Sequence, residues 1–203
     1  MIKRVILWLC CVALMTFVLY AGQTLGQQRQ LAQKTIRLHV VANSDTQEDQ
    51  AQKLRVRDAV LAKVQALTAD CRSAREAQET LADHLPDLEA AAQQTLEAEG
   101  SNYALSVSLT TENFDTRQYD TFTLPAGKYP SLRVKIGAAE GRNWWCVVFP
   151  ALCTAATSEE MDAYAQAGGY EEDEVELITG GEKEYVFRFK TLEWLKALGD
   201  LFS

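Results

Sequence analysis

From Val5 to Ala21 the chain runs as VILWLCCVALMTFVLYA, with Thr16 as its one polar interruption. An apolar run of about 17–20 residues is just long enough to cross a bilayer as a helix. A soluble helix normally keeps a polar face, and this run has none. Lys3 and Arg4 precede it. Basic residue, apolar run and then a polar segment is also the layout of a secretory signal. The residues that follow do not offer a clean small-x-small cleavage site: cleavage after Ala21 would put Leu19 where a small residue is preferred. A cleaved signal and an uncleaved anchor therefore both fit residues 1–33, with a domain from 34 to 203 beyond them. Cys10 and Cys11 are not lipid acceptors by pattern, because Leu9 stands where a small residue is expected. The basic residues on the N-terminal side favour an inside N-terminus and an outside domain. Residues 22–34 (GQTLGQQRQLAQK) read as a Gln-rich stalk or an extension of the helix.

The remainder has an ordinary globular balance and one strong bias. Seventeen of the twenty basic residues and all twenty-eight acids lie from residue 34 onward, a formal charge of −11. Such a surface argues against nucleic acid and anionic lipid as partners. It suits a domain outside the cytoplasm.

Hydrophobic period then divides the domain. Ile36–Val41 (IRLHVV) reads as a strand, ending at Asn43-Ser44-Asp45. Ser44 with Gln47, or Asp45 with Glu48, would form a capping box. Val56, Val60, Val64 and Leu67 recur at helical spacing. Ser73 with Glu76 repeats the cap signature, and Leu81 to Leu96 continues at helical spacing, with Pro86 expected to kink or divide the run. Past Gly100, strict alternation from Tyr103 to Thr110 predicts a half-buried strand. Further strands are expected at Gln118–Leu124, around Leu132–Ile136 and over Trp144–Phe149, after a loop from Gly137 to Asn143. A short helix is expected at Ser158–Gln166 within a polar, unassigned stretch (154–181). A last strand at Tyr185–Lys190 and an amphipathic helix at Thr191–Phe202 complete the reading. Helices first and neighbouring strands later give an α+β fold: an N-terminal membrane or signal helix, then helices packed on a mainly antiparallel sheet.

Enzymatic chemistry finds little support. A Cys146 nucleophile with His39 as base would need hydrogen-bond reach and a third orienting group, and no local signature of such an enzyme is present. His39 and His84 are the only histidines, short of the three ligands usual for catalytic zinc. No Gly-rich phosphate loop or G-x-S-x-G elbow occurs, so no cofactor is expected. Cys146 and Cys153 flank Pro150, and a turn there could bring them within bridging distance. The strand-to-helix junction at Asn43-Ser44-Asp45, with Arg37, Arg55 and Arg57 near in sequence, is either an anion or carboxylate site or simple capping beside solvated arginines. Trp144 and Trp145 must point to opposite faces of a strand, so one belongs to the core and the other is an interface candidate.

The stretch IRLHVVANSDTQEDQAQKLRVRDAVL (36–61) resembles the opening of the stage II sporulation protein R family. Later elements follow in that family's order: LPAGKY, LRVKIG, GRNWWCVVFP and the closing Cys153. EDEVELITG and YVFRFKTLEWL in the tail are similar too, whereas TAATSEE after Cys153 departs from the pattern. The resemblance implies a protein exported from the forespore into the space between forespore and mother cell. There it would activate a membrane-embedded aspartic peptidase that processes pro-sigma-E. The protein would be the signal and the peptidase the enzyme. On motif position, Arg37, His39, Asn43, Ser44, Asp45, Arg57, Asn143, Trp144 and Trp145 are the partner-binding candidates. A membrane-anchored hydrolase and a structural module of the cell envelope are the competing readings.

Overall fold

Helix α1 (Ile2–Gln33) takes up the whole apolar run and the Gln-rich stretch as one uninterrupted element. A computed structural model describes residues 2–155 and 157–179. At about 1.5 Å per residue, twenty helical residues span some 30 Å, so α1 is long and apolar enough to cross a bilayer. Its large side chains from Val5 to Tyr20 are exposed. Its end behaves differently. Thr24, Leu31 and Ala32 are buried, and the Gln28 amide donates to the Ala126 carbonyl. The last turns of α1 are thus part of the domain's packing.

Strand β1 (Ile36–Val41) is buried at all six positions, because both of its faces are covered. It lies inside a four-stranded sheet with β2 (Leu105–Phe114), β5 (Gly127–Ile136) and β6 (Asn143–Phe149), in the order β2-β5-β1-β6. β2 pairs antiparallel with β5, and β1 antiparallel with β6. β1 and β5 are parallel, with Leu38 opposite Leu132; the chain between them is long enough to cross over. The sheet is therefore mixed and mainly antiparallel.

Alternation sorts the side chains onto two faces. Ile36, Leu38 and Val40, with Leu132, Val134, Cys146 and Val148, pack against helices α2 (Gln47–Thr68), α3 (Ala74–Asp83) and α4 (Leu85–Ala98). Val56, Val60 and Val64 supply the apolar stripe of α2. The other face carries Arg37, His39, Tyr129, Trp145 and Val147. Over it lie the end of α1, a small hairpin of β3 (Arg117–Gln118) and β4 (Thr123–Leu124), a 3-10 turn (Leu152–Thr154), and helices α5 (Ser158–Ala167) and α6 (Glu172–Thr179).

The α+β expectation holds, and several details move. The strand expected over Gln118–Leu124 is instead the β3–β4 hairpin. The polar Asp120-Thr121 pair turns the chain there, and the Tyr119 N–H closes the turn on the Phe122 carbonyl at 2.8 Å. The cap of α2 is Thr46, whose hydroxyl accepts from the Asp49 N–H, because Ser44 and Asp45 are engaged elsewhere. Ser73 does cap α3, accepting from the Glu76 N–H. Pro86 divides the long run: α3 ends at Asp83, His84 caps the junction, and α4 begins with the proline in its first turn, where a missing N–H costs nothing. Asn143 opens β6 and is not part of the loop. α6 forms within the stretch the sequence left unassigned. The strand and helix expected at Tyr185–Lys190 and Thr191–Phe202 lie outside the described residues.

Candidate functional site

The Asn43-Ser44-Asp45 turn is occupied by its own domain. The Asp49 carboxylate accepts from the Ser44 hydroxyl at 2.5 Å and from the Asn43 amide at 2.9 Å. Asn43 Oδ1 in turn accepts the Ala138 N–H at 2.9 Å, and Asp45 Oδ1 accepts the Arg142 N–H at 2.7 Å. Lys53, pushed down in pKa by burial, donates to the Arg142 carbonyl at 2.9 Å. These contacts tie the β1–α2 junction to the β5–β6 loop. Gly137 completes the fit: its φ is +56°, and a Cβ there would collide with the Asn43 side chain. Hydrogen bonds to a charged partner contribute about 1.5–3 kcal/mol each, so the capping and stapling role outweighs anion binding. Glu48 and Asp49 in the first turn of α2 would also repel an anion. The Ser44 hydroxyl, then the Asn43 amide, hold the Asp49 carboxyl below its usual pKa against burial.

The stapled loop delivers Asn143 to the start of β6, beside His39. Asn143 Oδ1 lies 2.8 Å from His39 Nε2, and Glu112 Oε2 lies 2.9 Å from Nδ1. Glu112 also pairs with Arg133 at 3.2 Å. The His39 ring stacks on Trp145 with centroids 3.7 Å apart, and Trp145 meets Phe114 edge-on at 5.0 Å. Arg37 lies deeper and is fully buried. It has no carboxylate partner among the described residues. Its guanidinium sits 4.0 Å from the Phe114 ring centroid and donates from Nη2 to the Tyr119 hydroxyl at 2.7 Å. Burial, against the opposing Arg37 charge, pushes the Tyr119 phenol up to about 12. Arg37 and His39 therefore build the site from beneath.

On the opposite face of β6, Trp144 remains 38% exposed, with the Arg57 guanidinium 4.3 Å from its ring centroid. Arg57, Asn143, Trp144 and Trp145 line one open cavity of about 810 Å³ beside β6, which is an edge strand of the sheet among the described residues. Arg117 and Tyr119 from the hairpin form its other wall, and Cys146 and Cys153 line it too. The turn and the cavity are thus linked by Arg142 and Asn143, while Arg37 lies outside the cavity lining. Arg55 is paired with Glu99 on the helical layer.

His39 and Cys146 do not form a nucleophile–base pair. Leu38 is the residue opposite Cys146, and His39 faces Trp145, so the two side chains emerge from opposite faces of the sheet. Both His39 nitrogens are already matched to Glu112 and Asn143. No cluster of three or more His, Cys, Asp or Glu side chains is placed to hold a metal among the described residues. Cys146 and Cys153 are free thiols here, with Cys153 Sγ accepting the Val147 N–H at 3.0 Å.

Sequence reasoning missed Glu112, Arg117, Tyr119 and Arg133. Glu112 carried a readable signal, as a charge continuing the Ser106, Ser108, Thr110 series on one face of β2. The hairpin residues carry none, since their position depends on a turn inside a segment whose pattern predicts one continuous strand.

Comparison with known proteins places this architecture. A family model described as Stage II sporulation protein R matches residues 32–159, which take in the stapled turn, the sheet and the cavity. Stage II sporulation protein R of Bacillus subtilis (strain 168) is 32% identical over 221 aligned positions, covering 92% of this chain and 95% of that protein. No solved structure matches the chain.

Proposed function

Because the chain belongs to the stage II sporulation protein R family and so has a role in sporulation, we propose that it is an exported signal that activates a membrane-embedded aspartic peptidase, leading to processing of pro-sigma-E in the mother cell. The observation that carries this reading is an exposed tryptophan, clasped by an arginine in an open cavity, on a domain joined to an apolar helix long enough to cross a membrane. Lys3 and Arg4 at the start of that helix favour placing the domain outside the cytoplasm, in the space between forespore and mother cell. The helix serves as a signal or membrane anchor, and the domain from residue 34 onward carries the message.

The cavity is the surface proposed to meet the peptidase. Aromatic and arginine side chains are the usual anchors of protein interfaces, and Trp144 with Arg57 supplies both. Arg57, paired with its neighbour Asp58 at 2.7 Å, and Arg117 and Asp120 from the hairpin add charge to its walls, so a partner segment with both an apolar and a charged group would be oriented on entry. Activation then requires tighter binding to the active than to the inactive state of the peptidase, because a ligand shifts an equilibrium only by its differential affinity. The hydrolase reading loses the Cys146–His39 pair, because the two side chains emerge from opposite faces of the sheet.

A photo-crosslinking residue in place of Trp144 tests the contact. The exported protein should capture the peptidase through position 144 and not through Gln94 on the exposed side of α4. Capture at both positions, or at neither in a folded protein, overturns the assignment of this surface.

A further inference from the structure

β6 ends at Phe149, and the chain then reverses through Pro150, Ala151 and the 3-10 turn. The Leu152 N–H closes this turn on the Pro150 carbonyl at 2.7 Å, and the Thr154 N–H on the Ala151 carbonyl at 3.2 Å. The reversal carries Cys153 back along the strand it left, until its sulfur accepts the Val147 N–H at 3.0 Å. Cys146 and Cys153 are side-chain hydrogen-bond partners, so the two thiols face one another. Both line the wall of the open cavity, which gives a reagent or partner a path to them. Cys71 is spoken for elsewhere, on the helical layer beside the Thr80 hydroxyl at 3.7 Å.

We propose that Cys146 and Cys153 are a modification site: an intramolecular disulfide, formed outside the cytoplasm by exchange with a disulfide-bearing partner. Exchange proceeds in two balanced steps. The Cys146 thiolate attacks one sulfur of the partner's disulfide, forming a mixed disulfide, and the partner's other sulfur leaves and takes up a proton. Cys153 then gives its proton to water and attacks the Cys146 sulfur, breaking the mixed bond and releasing the partner's second thiolate, which is protonated in turn. The protein loses two electrons and two protons, and the partner gains them.

The neighbours assign the roles. The hydrogen bond from Cys153 favours the Cys146 thiolate, helped by the Arg57 and Arg37 charges, and together these hold the Cys146 thiol low against burial. Cys153 is pushed up by giving that hydrogen bond and by burial, so it attacks second. Bonds of this kind persist in oxidising compartments. The inference rests on the extracytoplasmic placement and on nothing about the peptidase.

The test uses the full chain, exported by its own N-terminal helix. Protease access to the domain in intact protoplasts first establishes that it is outside. Cells are then quenched in acid, which protonates thiols and stops exchange, and the protein is dissolved in denaturant near neutral pH with excess N-ethylmaleimide and no reductant, so every free thiol is blocked whatever its burial. Reduction and a second alkylating reagent follow, and peptides are mapped by mass. Cys146 and Cys153 are expected to carry the second reagent, and Cys71 the first. Without reduction, the peptide spanning both should be lighter by two hydrogens. Capture of Cys146 or Cys153 by the first reagent in exported protein, or pairing of either with Cys71, overturns the proposal. Purified reduced protein treated with oxidised glutathione gives a second readout. Cys153→Ser should stop at a mixed disulfide on Cys146, and loss of that adduct refutes the order of attack.

Discussion

Trp144→Ala and Trp145→Ala, made separately, distinguish what holds the domain together from what it presents. Trp145 is partly buried between the stacked His39 ring and the edge-on Phe114 ring. Truncating a buried Trp costs about 3–5 kcal/mol, and partial exposure reduces this to roughly 2–3 kcal/mol here. Trp144 is 38% exposed and is held by Arg57. An exposed cation–π contact contributes about 0.5–1 kcal/mol, so Trp144→Ala should cost about 1 kcal/mol. Both losses fall within a typical domain stability of about 5–15 kcal/mol, and both variants should fold. Urea denaturation of the full chain in detergent, followed by circular dichroism, measures the difference. With an m-value of about 1–3 kcal/mol/M, the Trp145 midpoint should fall by roughly 1–2 M and the Trp144 midpoint by about half that or less. Function should invert the ranking per unit of stability lost. A binding hot spot exceeds about 2 kcal/mol, so Trp144→Ala should slow pro-sigma-E cleavage by at least about ten-fold in protein that remains folded. A folded Trp144→Ala protein that supports cleavage at the parental rate would refute the reasoning, as would equal midpoint losses for the two variants.

Asp49 gives a pH test. Its folded pKa lies below the ordinary value, so its contribution is present at neutral pH and is lost as pH falls through that lowered pKa. Asp49→Asn should flatten this acid limb in denaturation midpoints measured across pH, and an unchanged limb contradicts the assignment. Gly137→Ala must adopt a left-handed φ and push Asn43 aside, costing about 2 kcal/mol or more, since that conformation alone costs an L-residue about 1–2 kcal/mol; a neutral midpoint argues against the staple. Glu112→Ala leaves His39 and Arg133 without their shared carboxylate. It should cost about 2–3 kcal/mol, and less in a His39→Phe background; equal costs in the two backgrounds would show the pair to be uncoupled.

The elements visible in the sequence were those set by local pattern. Ile36–Val41, the Val56–Val60–Val64 stripe, the Ser73 cap and the division at Pro86 all follow from period, capping or ring geometry within one turn. The opposite pointing of Trp144 and Trp145 needed only the pleat of a strand. The parallel pairing of β1 with β5 was not visible, because register between distant strands is decided by packing on both faces. Asn43, Ser44 and Asp45 were visible as a helix-start cluster, yet their partners Ala138, Asp49 and Arg142 come mostly from another loop. Arg37 resembled a surface residue by type. Its burial against Phe114 and Tyr129 depends on α1 and the β3–β4 hairpin closing over that face of the sheet.

The most direct test is co-expression of three components: this chain, the sigma-E-processing peptidase of its own organism, and pro-sigma-E, with cleavage read on a gel. Cleavage should require the chain and its apolar helix together, and a chain lacking residues 1–21 should be silent while still accumulating. No cleavage, with the chain shown to be folded and exported beside its cognate peptidase, would contradict the account. So would equal cleavage by a domain confined to the cytoplasm.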